Sequence, residues 1–327
     1  MKIRIKLSHG SWETSQTGKG KFILRLVPEL EKLGCKITDS LDEEVDLDFQ
    51  ISRRHYQPVK CKKTALRIGP AYLTKEKRGK WLNHRKKEGV KHSDAVIYQS
   101  ELGKKMCDKF IYKRNGLSRI IFNGSDRTEI TPFSSPFEHN FLASTRVWKK
   151  QKRLSDIKKA FLKANIKDSC LWVLGDTGKE PRDKNYHTNN GLNSIREIGG
   201  MSDHQIKMFY KLCDAVIHIT FMDCMPNAVC EALSEGCRVL CNNNAGTKEI
   251  VGPAGGLVLN LEPEWDGKAI NVNKPPKINL DLLANGFREI LGYPAPKNDH
   301  VLIENIAKQY FNFFQEVLGA RKNIPER

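Results

Sequence analysis

An α/β protein of two domains is what the sequence predicts, on three observations. Apolar runs of strand length alternate with amphipathic helical spacings through most of the chain, the pattern of parallel sheets covered by helices. That alternation runs twice, on either side of a proline-containing stretch of little periodicity, Thr131 to Asn140 (TPFSSPFEHN). And 327 residues suffice for two cores of ordinary size.

In the first series, Ile3 to Leu7 reads as a strand and Lys21 to Leu33 as an amphipathic helix closed by Gly34. Val45 to Ser52, Thr64 to Ile68, Ala95 to Gln99 and Ser118 to Phe122 read as further strands. The second series has strands at Phe141 to Thr145, Leu171 to Leu174, Ser194 to Ile198, Ala215 to Ile219, Arg238 to Cys241 and Gly256 to Leu259. Helices are expected from about Leu154, Asp203 and Pro226, an irregular stretch over Pro263 to Lys277, and a last amphipathic helix over Leu302 to Leu318. The domains are therefore expected at 1–136 and 137–301, with a helix at about 302–320 packing back on the first. A cleft between two such domains is a natural ligand site.

No run approaches the roughly 18 apolar residues of a membrane-spanning helix. The opening MKIRIKLSHGSW alternates apolar and charged residues, unlike a signal or transit peptide, so a soluble cytoplasmic protein is expected. Nine cysteines without a Cys-x-x-Cys pair, mostly inside apolar runs, suit reduced buried thiols. With 55 Lys and Arg against 38 Asp and Glu, the net charge of +17 attracts anions: nucleotides, nucleic acid, phosphorylated lipids or an acidic membrane face. Charge alone does not choose among them.

The most informative segment is Asp214 to Gly256. A buried strand ends at Thr220, a short loop reaches Asp223, Pro226 stands in the first turn of a helix, and Gly236 closes that helix about three turns later. The unpaired amides of Asn227, Ala228 and Val229, with the positive end of the helix dipole, form an anion site suited to a diphosphate. Asp223 and Glu231 flank it, and ionised carboxylates accept strong hydrogen bonds from sugar hydroxyls. Phosphates with hydroxyls indicate a nucleotide-sugar. On spacing alone, the same two acids also suit simple capping of a helix start.

This segment resembles the acid-x7-acid region of family 4 retaining glycosyltransferases, with Asp223-Cys-Met-Pro-Asn227 similar to the Asp-x-x-Pro-Asn loop of some members. The resemblance implies the GT-B arrangement, two Rossmann-like domains with parallel sheets facing across a cleft. It implies that Asp223 holds donor-sugar hydroxyls, that the amides following Pro226 hold sugar and phosphate, and that Glu231 holds the ribose. The segment from Phe141 to Leu154 resembles the one that supplies two cations to the donor diphosphate, implying Arg146 and Lys152, with Lys149 the competing choice for the first. Positive charge there counts most as the glycosidic bond breaks.

Ile198-Gly-Gly-Met-Ser202 resembles the loop whose main chain meets the nucleobase, implying Gly200 and Met201, though Gly-Gly by itself is a turn. Gly18-Lys-Gly20, between a strand and a helix, offers glycine backbone to the diphosphate from the first domain. Asn123-Gly-Ser-Asp126 is similar to the family's Asn-Gly-x-Asp and, on composition alone, is an Asn-Gly turn. The family's donor-contacting histidine has no counterpart at Gly69; His55, His84 and His92 read as surface residues of a basic stretch.

Two motifs do not carry chemistry. Gly175-Asp-Thr-Gly-Lys179 lacks the upstream glycine and following Ser/Thr of a P-loop and reads as a turn. Asp46-Leu-Asp48 looks like a metal-binding pair but lies within a strand with both acids on one face, and no zinc spacing is present. The expected activity is retaining, metal-independent transfer of a hexose from a UDP- or GDP-linked sugar to a glycan or lipid-linked acceptor, with no cofactor. Two further partners are suggested by charge: an acidic membrane touched peripherally, and nucleic acid, through the basic stretch Lys60 to Lys91. The latter would make the chain a DNA-modifying sugar transferase or a binding module on a GT-B fold.

Overall fold

The structure, a computed structural model, describes residues 3–8, 17–40, 43–53, 59–74, 76–178, 183–188 and 191–319. The expectations for His55, Lys75 and Lys179 lie outside the described residues. The chain divides into two compact units, Met1–Gly124 with Ile303–Arg327, and Ser125–Leu302. The division falls after Gly124, ahead of the boundary expected at 136.

In chain order the elements begin with β1 (Arg4–Ser8), α1 (Gly18–Lys32), β2 (Lys36–Thr38), β3 (Val45–Ser52), β4 (Cys61–Ile68), α2 (Lys77–His92), β5 (Ala95–Tyr98), α3 (Glu101–Phe110) and β6 (Ser118–Ile120). The second unit holds β7 (His139–Val147), a 3₁₀ turn at Lys150–Lys152, α4 (Leu154–Ala164), β8 (Ser169–Asp176), β9 (Asp183–Thr188), β10 (Gly191–Gly199), α5 (Asp203–Leu212), β11 (Ala215–His218), α6 (Asn227–Ser234), β12 (Arg238–Asn242), α7 (Thr247–Gly255), β13 (Gly256–Leu259) and α8 (Leu280–Glu289). Last comes α9 (Ile303–Gly319), which belongs to the first unit.

The first unit is a six-stranded sheet in the order β2-β1-β3-β4-β5-β6, every neighbouring pair parallel. Helix α1 buries Phe22, Ile23, Leu26, Val27 and Leu30, and α9 buries Ile306, Tyr310, Phe313, Phe314 and Val317, each a stripe at helical spacing. Both stripes close over the same sheet face as Leu47, Phe49 and Ile97. The Phe49 ring lies 5.7 Å from Tyr310 and 5.1 Å from Phe314. Asn123-Gly124 is not a turn: Asn123 accepts from the buried Arg67 guanidinium, and a Cβ on Gly124 would stand 2.9 Å from both Ile303 Cα and Ile306 Cγ1. Glycine is there because α9 crosses the backbone. Asp46 and Asp48 share one face of β3 as expected; the first pairs with Lys62 at 2.7 Å and the second accepts from Ser8 at 2.6 Å.

The second unit is a seven-stranded sheet in the order β13-β12-β11-β7-β8-β10-β9, parallel except for the antiparallel edge pair β9 and β10. On one face α4 and α8 bring Phe161 and Phe287 to 6.1 and 5.1 Å from Phe141. The stretch expected to be a linker packs on this unit. Phe133 lies 5.9 Å from Trp172 and 4.9 Å from Phe209, Phe137 lies 6.5 Å from Trp172, and Asn140 accepts from the Trp172 indole at 3.0 Å. Upstream, Asp126 pairs with Lys207 of α5 at 2.6 Å, and the fully buried Glu235 carboxylate accepts from the Thr128 hydroxyl at 2.8 Å. Two prolines disrupt the periodicity here, but Phe133 and Phe137, each directly after one of them, still need a core.

Gly175 in β8 has φ 107°, and a Cβ on it would come 1.6 Å from the Thr145 carbonyl oxygen, where the β7–β8 register slips between Ser144 and Val147. Gly175→Ala should therefore destabilise the protein by about 2 kcal/mol or more, read as a lowered urea midpoint at unchanged m value. An unchanged midpoint would contradict the close approach.

Candidate functional site

The site is built at the carboxyl ends of the central strands of the second unit. Strand β11 is wholly buried and ends at His218; the chain then passes through a loop, Ile219 to Pro226, into α6. Five apolar residues of that loop, Ile219, Phe221, Met222, Cys224 and Met225, are themselves buried. Main-chain bonds fix it from two sides: Phe221 N–H donates to the Gln151 carbonyl at 2.9 Å, and the Asp223 carbonyl accepts from Gly246 N–H at 2.8 Å. Met222 takes the left-handed conformation, φ 59°, that lets the chain reverse here. The loop is thus a rigid shelf presenting the Asp223 side chain, which is 24% exposed.

Lys152 Nζ donates to Asp223 Oδ2 at 2.8 Å. Burial works to raise the Asp223 carboxyl, but the Lys152 charge and hydrogen bond outweigh it and hold the group below the usual carboxylate range. His218 lies within reach of both charges. Burial, then repulsion from Lys152, push its imidazole down to about 3 against the attraction of Asp223, and its Nε2 is buried without a hydrogen-bond partner among the described residues.

Lys152 is anchored through its neighbour in the chain. Arg153, in the left-handed conformation at φ 57°, joins the 3₁₀ turn to α4 and buries its guanidinium against Glu262 at 2.5 Å, with side chains 1% and 0% exposed. Arg153 also donates to the Pro276 carbonyl at 2.7 Å, and Glu262 accepts from Asn242 at 2.7 Å. Burial pushes the Glu262 carboxyl up and Arg153 opposes it. Asn243 donates to the Glu262 carbonyl at 3.1 Å and Asn244 accepts from Trp265 N–H at 2.8 Å, so three successive asparagines at the end of β12 latch the segment that carries Glu262.

The structure brings Lys152 and Asp223 together, although the sequence assigned them separate partners. Pro226 is the N-cap of α6 instead of a first-turn residue, and that helix has eight residues, about two turns rather than three. Of the three amides expected to be unpaired, Val229 N–H donates to the Pro226 carbonyl at 3.2 Å, while Ala228 N–H has no hydrogen-bond partner among the described residues. Glu231 Oε2 accepts from the Tyr210 hydroxyl of α5 at 3.2 Å, and that hydroxyl lies 3.4 Å from Ser144 Oγ of β7. Since Tyr210 spends its proton on the carboxylate, Ser144 is the donor in the second bond. Arg146 is exposed near the end of β7 and Lys149 is the exposed N-cap of the 3₁₀ turn; neither has an ion-pair partner among the described residues. Gly200 and Met201 form the turn between β10 and the capping box of Ser202 and Gln205.

In the first unit, Gly18 opens α1 and Gly20 lies in its first turn, where Gly20 N–H donates to the Thr17 hydroxyl at 3.3 Å. The amide foreseen for a diphosphate is therefore capped. Sequence reasoning missed His218, Tyr210, Ser144 and the Arg153–Glu262 pair. A histidine within the apolar run AVIHI was the visible signal for the first; pairs separated by 21 and 109 positions left none. Among the described residues no group of three or more His, Cys, Asp or Glu could hold a metal ion, and eight of the nine cysteines are buried thiols.

Residues 126–270 match the family described as Glycosyl transferases group 1. No curated protein matches the chain in sequence. Among solved structures, it is similar to sucrose-phosphate synthase from Thermosynechococcus elongatus, at 12% identity, 97% and 95% coverage of the two chains and a TM-score of 0.59. A glycosyltransferase from Rickettsia africae is similar at 13% identity, 98% and 100% coverage and a TM-score of 0.59. So is the Anabaena protein HepE in complex with UDP-glucose, at 12% identity, 96% and 98% coverage and a TM-score of 0.56. At these identities the likeness is one of fold: two Rossmann-like units, as in GT-B glycosyltransferases.

His218 gives the site a pH signature. Its folded-state value is depressed from 6.5 to about 3, so the unfolded chain binds the proton first and stability falls as pH drops through that window. Urea titrations between those limits should show His218→Asn losing stability less steeply than wild type, by up to about 1.4 kcal/mol per pH unit, the slope of one proton. Parallel curves would mean that His218 is protonated in the fold.

Proposed function

We propose that this protein is a retaining glycosyltransferase that moves a hexose from a nucleoside-diphosphate sugar to a hydroxyl of a glycan or lipid-linked acceptor. The observation that carries the reading is the Lys152–Asp223 pair on a rigid shelf at the head of α6, within the residues that match the glycosyltransferase family. A lysine has three donors, so Lys152 can keep Asp223 and still bind a phosphate oxygen. Asp223, held ionised, accepts from sugar hydroxyls, and Glu231, oriented by Tyr210, accepts from the ribose.

Reaction breaks the bond from the anomeric carbon to the diphosphate and forms one to the acceptor oxygen. The acceptor's proton passes to the departing phosphate on the same face of the sugar, so the configuration is kept and no enzyme base is needed. Charge develops on the diphosphate as the bond breaks, and Lys152 with the exposed Arg146 or Lys149 stabilises it. The complexes of HepE with UDP-glucose, and with UDP and glucose, favour a UDP-linked donor.

Thermal shift and slow hydrolysis across UDP-, GDP-, ADP- and dTDP-sugars test this. A donor at 100 times its Kd should stabilise the wild type by about 2.7 kcal/mol and Glu231→Ala much less. Lys152→Ala should lower kcat by about 10²–10³-fold. Tyr210→Phe should weaken the ribonucleotide about fivefold and leave the 2′,3′-dideoxy analogue unaffected. No response to any donor would sink the reading.

A further inference from the structure

Ligands of open α/β sheets gather at the carboxyl ends of the strands. At that edge of the first unit, Ser52 closes β3 in the left-handed conformation, φ 71°, which a residue with a Cβ adopts at a cost. Ser52 pairs with Ile68, the last residue of β4, and Gly69 follows directly. The backbone does not require glycine at 69, because φ there is not positive. Nor does packing: a Cβ would meet Ser52 Oγ at 3.4 Å, Ser52 Cβ at 3.5 Å and Lys86 Nζ at 3.8 Å, all ordinary contacts. Glycine instead keeps open a space bordered by a hydroxyl and an ammonium.

The groups around that space are fixed. Lys86 of α2 donates to the Pro70 carbonyl, and its Nζ stands 4.9 Å from the centroid of the Tyr72 ring, which is 43% exposed. Gln99, after β5, donates to the Ile68 carbonyl at 2.8 Å. The buried Asn83 amide clamps the Tyr72 backbone, accepting from its N–H at 2.9 Å and donating to its carbonyl at 2.8 Å. More positive charge lies alongside. Arg53, exposed directly after Ser52, is near enough to Lys19 at the start of α1 to repel it; partial burial and then that repulsion hold the Lys19 ammonium below its usual range.

We propose that this edge of the first unit holds the acceptor sugar, and that the acceptor carries an anionic substituent, a carboxylate or a phosphate, bound by Lys86. The assignment to an acceptor rests on the transferase reading, in which Lys152 and Asp223 of the second unit are taken up by the donor. An anion on Lys86 brings the sugar ring that bears it against Tyr72, an amphipathic ring suited to the C–H face of a pyranose. Ser52 Oγ, which can both donate and accept, suits a hydroxyl of the same sugar. The bare Cα of Gly69 lets the sugar approach the backbone between them. A hydrogen bond to a charged partner is roughly twice as strong as a neutral one, so the anionic substituent separates this acceptor from a plain hexose.

The test titrates the full chain with methyl glucoside, glucuronate and glucose 6-phosphate, followed by ligand-observed NMR. At least one anionic sugar should bind about tenfold or more tightly than the glucoside, and which of the two does so identifies the substituent. Lys86→Met should remove that preference and Lys86→Arg should keep it. Gly69→Ala should weaken the anionic sugar while melting with the wild type, which decides the matter should Lys86→Met fail to fold. Lys152→Ala, which takes the cation from the second unit's site, should leave the preference intact. Equal binding of all three sugars, binding of none, or a preference that survives in Lys86→Met would overturn the proposal. If UDP-sugars stabilise the chain while the three sugars bind alike, the transferase reading stands and this acceptor falls. A preference lost in Lys86→Met with no response to any donor would instead keep the anion site and sink its assignment to an acceptor.

Discussion

A guanidinium and a carboxylate sealed from water, Arg153 and Glu262, hold the second unit's site in one arrangement. Removing either partner would leave a buried charge without its counterion, a far larger cost than the pair itself returns. The pair therefore works as a constraint more than as a source of stability. It ties the residue after Lys152 to the segment beyond β13, and Asn242 extends the tie to the end of β12. Three pieces of chain distant in sequence are thus referred to one buried point.

On that base the electrostatics of the site are set by neighbours. Lys152 keeps Asp223 ionised despite its burial, and the same ammonium helps to keep His218 neutral. A neutral imidazole adds no third charge to a pair that already balances. The adjoining carboxylate, Glu231, is instead aimed by neutral hydroxyls, Ser144 to Tyr210 to Glu231, which give it direction without neutralising it. Charge and orientation are supplied by different groups.

What the sequence shows and what it conceals divide along physical lines. Buried strands such as β3, β11 and β13 stand out as strand-length runs rich in apolar residues, and α9 because its stripe is complete. The head of α6 is legible because a proline and two acids mark it locally. Helix α2 escapes notice because so polar a helix has little hydrophobic periodicity, and β2 because three residues carry too little pattern. The stretch around Phe133 looks like a linker because its packing against Trp172 and Phe209 is invisible in its own spacing. Capping of Gly20 by Thr17 and of Val229 by Pro226 depends on backbone geometry that composition does not encode.

The return of α9 to the first unit reverses the order of synthesis and the order of completion. Strands β1 to β6 leave the ribosome first, yet their sheet lacks Tyr310, Phe313 and Phe314 until almost the whole of the second unit has been made. The second unit is one continuous stretch and can close its core while the first still shows an uncovered apolar face. During translation the apolar sheet face of the first unit is thus made before the second unit and covered after it.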